Sequence, residues 1–99
     1  MKIGNDQTIT IHNNRTETVE QGDESVTISK GDRSIKVSLG SSSLEAMRKI
    51  TLTVGTSSIT IDPTSITLKA LNITIQGELS TQISGGATLT LKGGLTTIN

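Results

Sequence analysis

The stretch from residue 57 to residue 75 reads SSITIDPTSITLKALNITI, in which one short motif occurs three times. Each occurrence places a threonine between two aliphatic residues, namely Ile59 and Ile61, Ile66 and Leu68, and Ile73 and Ile75. An alternation with a period of two directs the aliphatic side chains to one face of a strand and the threonines to the other. Residues that favour tight corners, such as Asp62-Pro63-Thr64, separate the motifs. Each motif is therefore predicted to be one short β-strand that ends at a corner.

The same unit extends over nearly the whole chain. The last aliphatic residue of each unit falls at Ile11, Val19, Ile28, Val37, Val54, Ile61, Leu68, Ile75, Ile83, Leu91 and Ile98. These positions give a period of about 8 residues when the irregular segment 38–54 is counted as two units. The pattern therefore predicts a β-helical chain that turns a corner about every eight residues.

The composition also predicts an all-β chain, and one without an ordinary core. Among the 99 residues there are no Cys, Phe, Trp or Tyr, and hydrophobic residues make up 31%. The 17 Thr and 12 Ser outnumber the 13 Ile, 9 Leu and 4 Val, and Thr, Ile and Val favour strands. So short a chain without aromatic side chains buries little apolar surface as a monomer. We therefore expect coiling or association of chains to supply the core.

Two architectures fit the repeat. In a single-chain solenoid three units make one coil, so about 12 units give about four coils around a thin core. In an intertwined trimer, three chains alternate along each face of a triangular prism, and every layer brings three aliphatic pairs to the axis. With strands about 4.8 Å apart, 12 layers give a prism about 55 Å long. We favour the intertwined homotrimeric triple-stranded β-helix, because its three stripes form one continuous core.

Charge divides the chain into three parts. Residues 1–49, a charged shaft, contain seven acidic and seven basic side chains, whereas 50–92 contain only Asp62, Glu78, Lys69 and Lys92. Residues 93–99 form a blunt tip without charged side chains. A nearly uncharged surface lowers the desolvation cost of crossing lipid, although Thr and Ser also simply solvate a narrow prism. The net charge of zero and the absence of aromatic side chains argue against nucleic acid as a partner.

Several segments resemble the C-terminal spike of VgrG, the tip protein of bacterial type VI secretion systems. They are Gly4 to Ile11, Asn13 to Val19, Gly22 to Ile28, the transition Ser43 to Gly55 and the ending Lys92 to Asn99. The resemblance implies a trimeric triple-stranded β-helix that pierces target-cell membranes and is related to the needles of contractile-tail phages. It also implies assembly in the bacterial cytoplasm and injection without a signal peptide, and Met1-Lys2-Ile3-Gly4 lacks an apolar signal segment.

In the VgrG family a hub with phage-tail-like β-barrel domains precedes the spike. The repeat is already under way at the first residues of this chain, so we expect it to be the C-terminal part of a longer protein. The family also implies a partner at the blunt end, a cone-shaped PAAR-repeat cap that often carries an effector. The residues expected to bind this cap are Gly93, Gly94, Leu95, Thr96, Thr97, Ile98 and Asn99.

Two titratable residues are candidates for a special role. His12 is the single histidine, and it follows the inward Ile11, so we expect it to be exposed at a corner and to bind no metal. Glu17 occupies the inward position two residues before Val19. Three copies of its carboxylate at the axis would need a trapped cation or water, so we expect a bulge or register shift that turns Glu17 outward.

Other functional classes are poorly supported. Without a Ser-His-Asp set, a zinc-protease motif or a phosphate-binding glycine loop, we expect no enzyme, no catalytic residues and no cofactor. The alternative function is a single-chain, Thr-rich solenoid that serves as a binding surface. A calcium-binding solenoid needs a recurrent G-G-x-G-x-D motif, of which Gly4-Asn5-Asp6 is only a trace. An ice-binding solenoid needs Thr-x-Thr at one position of every unit, and the doublets here do not recur so regularly.

Overall fold

The computed structural model describes residues 2–98, and Met1 and Asn99 lie outside the described residues. Three strands form one antiparallel sheet in the order β1-β2-β3: β1 is Ile50–Val54, β2 is Ser57–Ile61 and β3 is Ile66–Lys69. The described residues form no helix, and so none that is long and apolar enough to cross a membrane. The prediction of an all-β chain is confirmed.

A two-residue turn, Gly55-Thr56, joins β1 to β2. Val54 pairs with Ser57 across it, and Gly55 has a φ of 58°, whereas the described residues include no positive φ outside glycine. A positive φ at the first central residue alone identifies a type II′ turn, whose twist matches that of a hairpin. Glycine fits this position because a side chain is strained there.

The four residues Asp62, Pro63, Thr64 and Ser65 join β2 to β3. The Asp62 N–H donates to the Ser65 carbonyl oxygen at 3.0 Å, and Asp62 Oδ1 accepts from the Ser65 N–H at 2.9 Å. Pro63 fits the second turn position because its ring fixes φ near −65°. The predicted corner at Asp62-Pro63-Thr64 is therefore confirmed.

The register of the strands separates two faces of the sheet. Leu52 pairs with Ile59, which pairs with Leu68, and the neighbouring row contains Ile50, Ile61 and Ile66. Because directly paired residues share a face, these six side chains and Val54 form one apolar face. Thr51, Thr53, Ser58, Thr60, Thr67 and Lys69 form the opposite face. The predicted alternation of aliphatic residues and threonine is confirmed in these strands.

The chain bends at regular intervals. Bends or turns lie at residues 4–5, 12–13, 21–22, 29–31, 38–40, 47–48, 55–56, 63–64, 71, 78–79, 86–87 and 94–95. The spacing is about eight residues throughout, which confirms the predicted repeat. Because a bend also falls at 47–48, the irregular segment 38–54 does consist of two units.

The described residues divide into two units, 2–41 and 42–98. In the first unit the bends contain Gly22, Gly31 and Gly40, with φ values of 95°, 107° and 108°. This left-handed conformation recurs every nine residues, and it excludes most side chains at these corners. In the second unit, a Cβ added to Gly77 would collide with the Ser80 carbonyl oxygen, and one added to Gly85 with that of Thr88. The same close approach therefore occurs twice, eight residues apart.

The pairing of β1, β2 and β3 differs from the sequence expectation for this segment. The repeat predicted three successive strands of a β-helix, whereas one chain here supplies all three neighbouring strands as an antiparallel meander. The short turns explain the difference, because two and four residues suffice to reverse the chain but not to carry it to a parallel neighbour. Elsewhere in the part of the chain that the structure describes, no strand ladder forms.

Candidate functional site

The apolar face of the sheet is the most distinctive surface of unit 42–98. Its central row is exposed to solvent even where neighbouring strands flank it: Ile59 is 37% exposed, Leu68 53% and Leu52 57%. A single face of three short strands has no second layer to cover it, since two layers are needed to enclose a core. The face is therefore available to another surface.

A groove of about 250 Å³ runs along this face. Its wall includes Leu52, Val54, Ile59 and Leu68, and Ile73 extends it beyond β3. Its polar lining residues are Ser57, which lies on this face, and Ser58 and Lys69, which border the groove although they belong to the opposite face. Because the lining is apolar, the groove suits an aliphatic side chain better than a polar ligand.

The opposite face of the sheet is polar but irregular. Thr51, Thr60 and Thr67 form one row across the strands, whereas the next row consists of Thr53, Ser58 and Lys69. A flat ice-matching array requires the same residue in every row, and Lys69 interrupts it. This face therefore lacks the regular array expected of an ice-binding surface.

Exposure of aliphatic residues is a property of the whole described chain. Within residues 2–98 no hydrophobic side chain is buried, and the total accessible surface is 11026 Å². A compact monomer of 10.4 kDa exposes about 5,400 Å². The Ile, Leu and Val residues of the repeat are exposed, among them Ile9, Ile11, Ile73 and Ile75, except Ile50, which is half-buried. A single chain therefore leaves its repeat positions open to solvent.

The predicted tip is exposed as well. The chain bends at Gly94 and Leu95, and Leu95 is 89% and Ile98 82% exposed. Among the described tip residues 93–98, no main-chain hydrogen bond forms within the chain. Asn99, the last of the residues predicted to bind a cap, lies outside the described residues. The tip therefore offers two apolar side chains and free backbone groups.

Glu17 has a partner that the sequence analysis did not consider. Its Oε2 accepts a hydrogen bond from Arg15 Nη2 at 3.2 Å, and both side chains are exposed. Residues two positions apart in an extended segment lie on the same side, so Arg15, Glu17 and Val19 share one side. The Glu17 carboxylate therefore has a counter-charge two residues away in its own chain.

His12 lies at the bend 12–13 and is exposed, as predicted. Residues 2–98 contain no group of three or more His, Asp or Glu side chains that could hold a metal ion. The structure also brings no histidine next to a serine or carboxylate in a hydrogen bond within the described residues. The apolar face of the sheet, its groove and the tip are the candidate functional surfaces of the described residues.

The antiparallel sheet, whose apolar face is the candidate site, was not predicted from the sequence. Its signals were present: a two-residue Gly55-Thr56 segment between alternating runs, and an Asp-Pro segment before the next run.

Comparison with protein-family models, with curated proteins and with solved structures gave no match.

Proposed function

We propose that the chain forms a homotrimeric, non-enzymatic spike of the VgrG type, which punctures target-cell membranes as part of a type VI secretion apparatus. Its C-terminal tip docks a PAAR-repeat cap or effector protein. The proposal combines the sequence resemblance over the repeat segments and the ending with the exposure of the aliphatic positions in the single chain.

The observation that carries the proposal is the large accessible surface of the single chain, in which no hydrophobic side chain among residues 2–98 is buried. The accessible surface of 11026 Å² is about twice that of a compact monomer of this mass. A standard interface buries about 800 Å² on each partner, so the excess of about 5,600 Å² is far more than one ordinary contact covers. Association with identical chains along most of the length explains this excess.

The lack of ladders between repeat units supports intertwined chains over a single-chain solenoid. In a solenoid each coil pairs with the next coil of the same chain. Among residues 2–98, the one backbone hydrogen bond outside the sheet joins Asp62 to Ser65. In the trimer, neighbouring chains satisfy the backbone groups of the repeats.

A trimer of this kind acts mechanically. Outside the intrachain sheet 50–69, interchain hydrogen bonds along the repeats mean that no chain leaves the fibre without breaking many layers. Residues 50–92 contain only four charged side chains. This C-terminal half of the spike, which enters the membrane first, therefore has a low cost of desolvation as it crosses lipid. The same chain, assembled in the bacterial cytoplasm, is then driven outward with its cap.

The mass of the particle in solution tests this proposal. We expect light scattering to give about three times 10.4 kDa, and circular dichroism to show strand. Melting should be steep, because the layers unfold together. A monomeric mass at micromolar concentration, or a broad transition below about 50 °C, contradicts the intertwined trimer. Thermal hysteresis by a monomer supports the ice-binding alternative instead.

A further inference from the structure

The three-stranded sheet is the only part of the described chain that has its own backbone ladder. Its strands are joined by turns of two and four residues, so all its pairings are local in sequence. Local pairings form faster than distant ones, because little loop entropy is lost. The sheet can therefore form in one chain before that chain meets another, whereas the repeats cannot.

Repeats of this kind leave the alignment of chains poorly specified. Ile9-Thr10-Ile11 and Ile73-Thr74-Ile75 present the same aliphatic pair around a threonine. A chain that slips by one unit of about eight residues still meets similar strands, so little free energy opposes the slip. Segment 50–69 is different, because its two turns and its rows of paired side chains occur once among the described residues. Segment 50–69 of one chain can therefore be aligned with the same segment of the other two chains in one register only.

The occupant of the apolar face is best identified as a second copy of the chain. The excess surface is spread over the whole chain, so a partner that covers the sheet must also cover aliphatic pairs spaced about eight residues apart. An identical chain has that spacing. The net charge of zero also means that copies do not repel one another.

We propose that the apolar face of β1, β2 and β3 is the surface through which three copies of the chain first associate, and that this contact fixes their register. The inference rests on the proposed trimeric spike. Ile59 lies on the central strand and is therefore the centre of the contact. The groove of about 250 Å³ beside it has room for an aliphatic side chain, since an apolar cavity of about 150 Å³ holds benzene.

Refolding kinetics of the full chain test the proposal. The protein is unfolded in guanidinium chloride and diluted, and trimer formation is followed by light scattering and circular dichroism. Ile59→Ala is compared with Ile9→Ala, which makes the same truncation at an exposed repeat position. We expect Ile59→Ala to slow trimer formation by about tenfold, because its contacts form early. Ile9→Ala should change refolding by less than about twofold and mainly speed unfolding.

Thr60→Ala is the second control, because Thr60 lies on the same strand but on the opposite face. We expect it to leave the refolding rate unchanged. Equal slowing by Ile59→Ala and Ile9→Ala, or by Ile59→Ala and Thr60→Ala, overturns this inference but leaves the trimer intact. A monomeric wild-type protein overturns the proposed function itself. Should Ile59→Ala fail to assemble, the milder pair Ile59→Val and Ile9→Val makes the same comparison.

Discussion

Asp62 and Ser65 are joined by two reciprocal hydrogen bonds that close the turn between β2 and β3. The Asp62 N–H donates to the Ser65 carbonyl oxygen at 3.0 Å, and the Ser65 N–H donates to Asp62 Oδ1 at 2.9 Å. The Thr64 N–H and hydroxyl donate to the same oxygen at 3.0 and 3.1 Å. The N–H groups of Thr64 and Ser65 favour the ionised carboxylate and hold the pKa of Asp62 below its ordinary value of 3.8.

The hydrogen bonds to Asp62 predict how the stability of the fold depends on pH. Because the folded pKa of Asp62 is lowered, its ionisation stabilises the fold above pH 3.8, and the effect is lost as the pH falls through the folded pKa. We expect Asp62→Asn to lower the melting temperature at neutral pH and to have little effect in strong acid. Asp62→Ala, which also removes the hydrogen-bond acceptor, should be destabilising at both pH values. An Asp62→Asn defect that is the same at every pH argues against this role of the carboxylate.

Because Arg15 and Glu17 form an exposed ion pair, removing the charge of Glu17 should have only a small effect on the free energy of unfolding. The two side chains are exposed and interact at 3.2 Å, and exposed pairs contribute less than about 1 kcal/mol. We expect Glu17→Gln to change the free energy of unfolding by no more than this, and a chelator of divalent cations to have no effect. A large loss of stability, or one that depends on added cations, indicates instead that three carboxylates meet at the axis of the proposed trimer.

The facing of the repeat side chains predicts contrasting effects at neighbouring positions. In the proposed trimer, Ile73→Asp or Ile75→Asp places three unpaired carboxylates in one layer, at a cost of about 3–5 kcal/mol for each. We therefore expect loss of the soluble trimer in gel filtration. Thr74→Asp is the matched control, because Thr74 alternates with both isoleucines and should remain outside. Equal damage at Thr74 shows that the assignment of faces is wrong.

Periodicity predicted the corners and, in β1, β2 and β3, the two faces correctly, but it did not predict the partners of the strands. Ile59 and Thr60 lie on opposite faces of β2, as any strand with this alternation requires. The same alternation is compatible with parallel and antiparallel neighbours, so it does not indicate that Leu52 lies opposite Ile59. That register follows from the turn at Gly55.

The repeat pattern also does not predict which side chains form hydrogen-bonded pairs. Alternation places Arg15 and Glu17 on one side, but their hydrogen bond depends on rotamers that no repeat encodes. The tip is a different case, because the sequence predicted which residues are at the end and the structure shows Leu95 and Ile98 exposed there. In the proposed function a second molecule covers them, and a single chain does not show that contact.

The C-terminal tip gives the most direct prediction about the partner. A stack of strands ends in unpaired backbone groups, an edge that proteins usually cover or charge. In the proposed trimer this edge contains Leu95 and Ile98 but no charged side chain, so a cap with matching strands can add to it. We expect deletion of residues 93–99 to remove one layer of about twelve, so that the trimer persists with slightly lower stability. Binding of the PAAR-repeat cap, measured by calorimetric titration, should disappear, whereas Thr74→Asp on the side of the shaft should bind normally. Undiminished binding by the shortened trimer shows that the cap docks elsewhere, and loss of the trimer itself shows that these residues are part of its core.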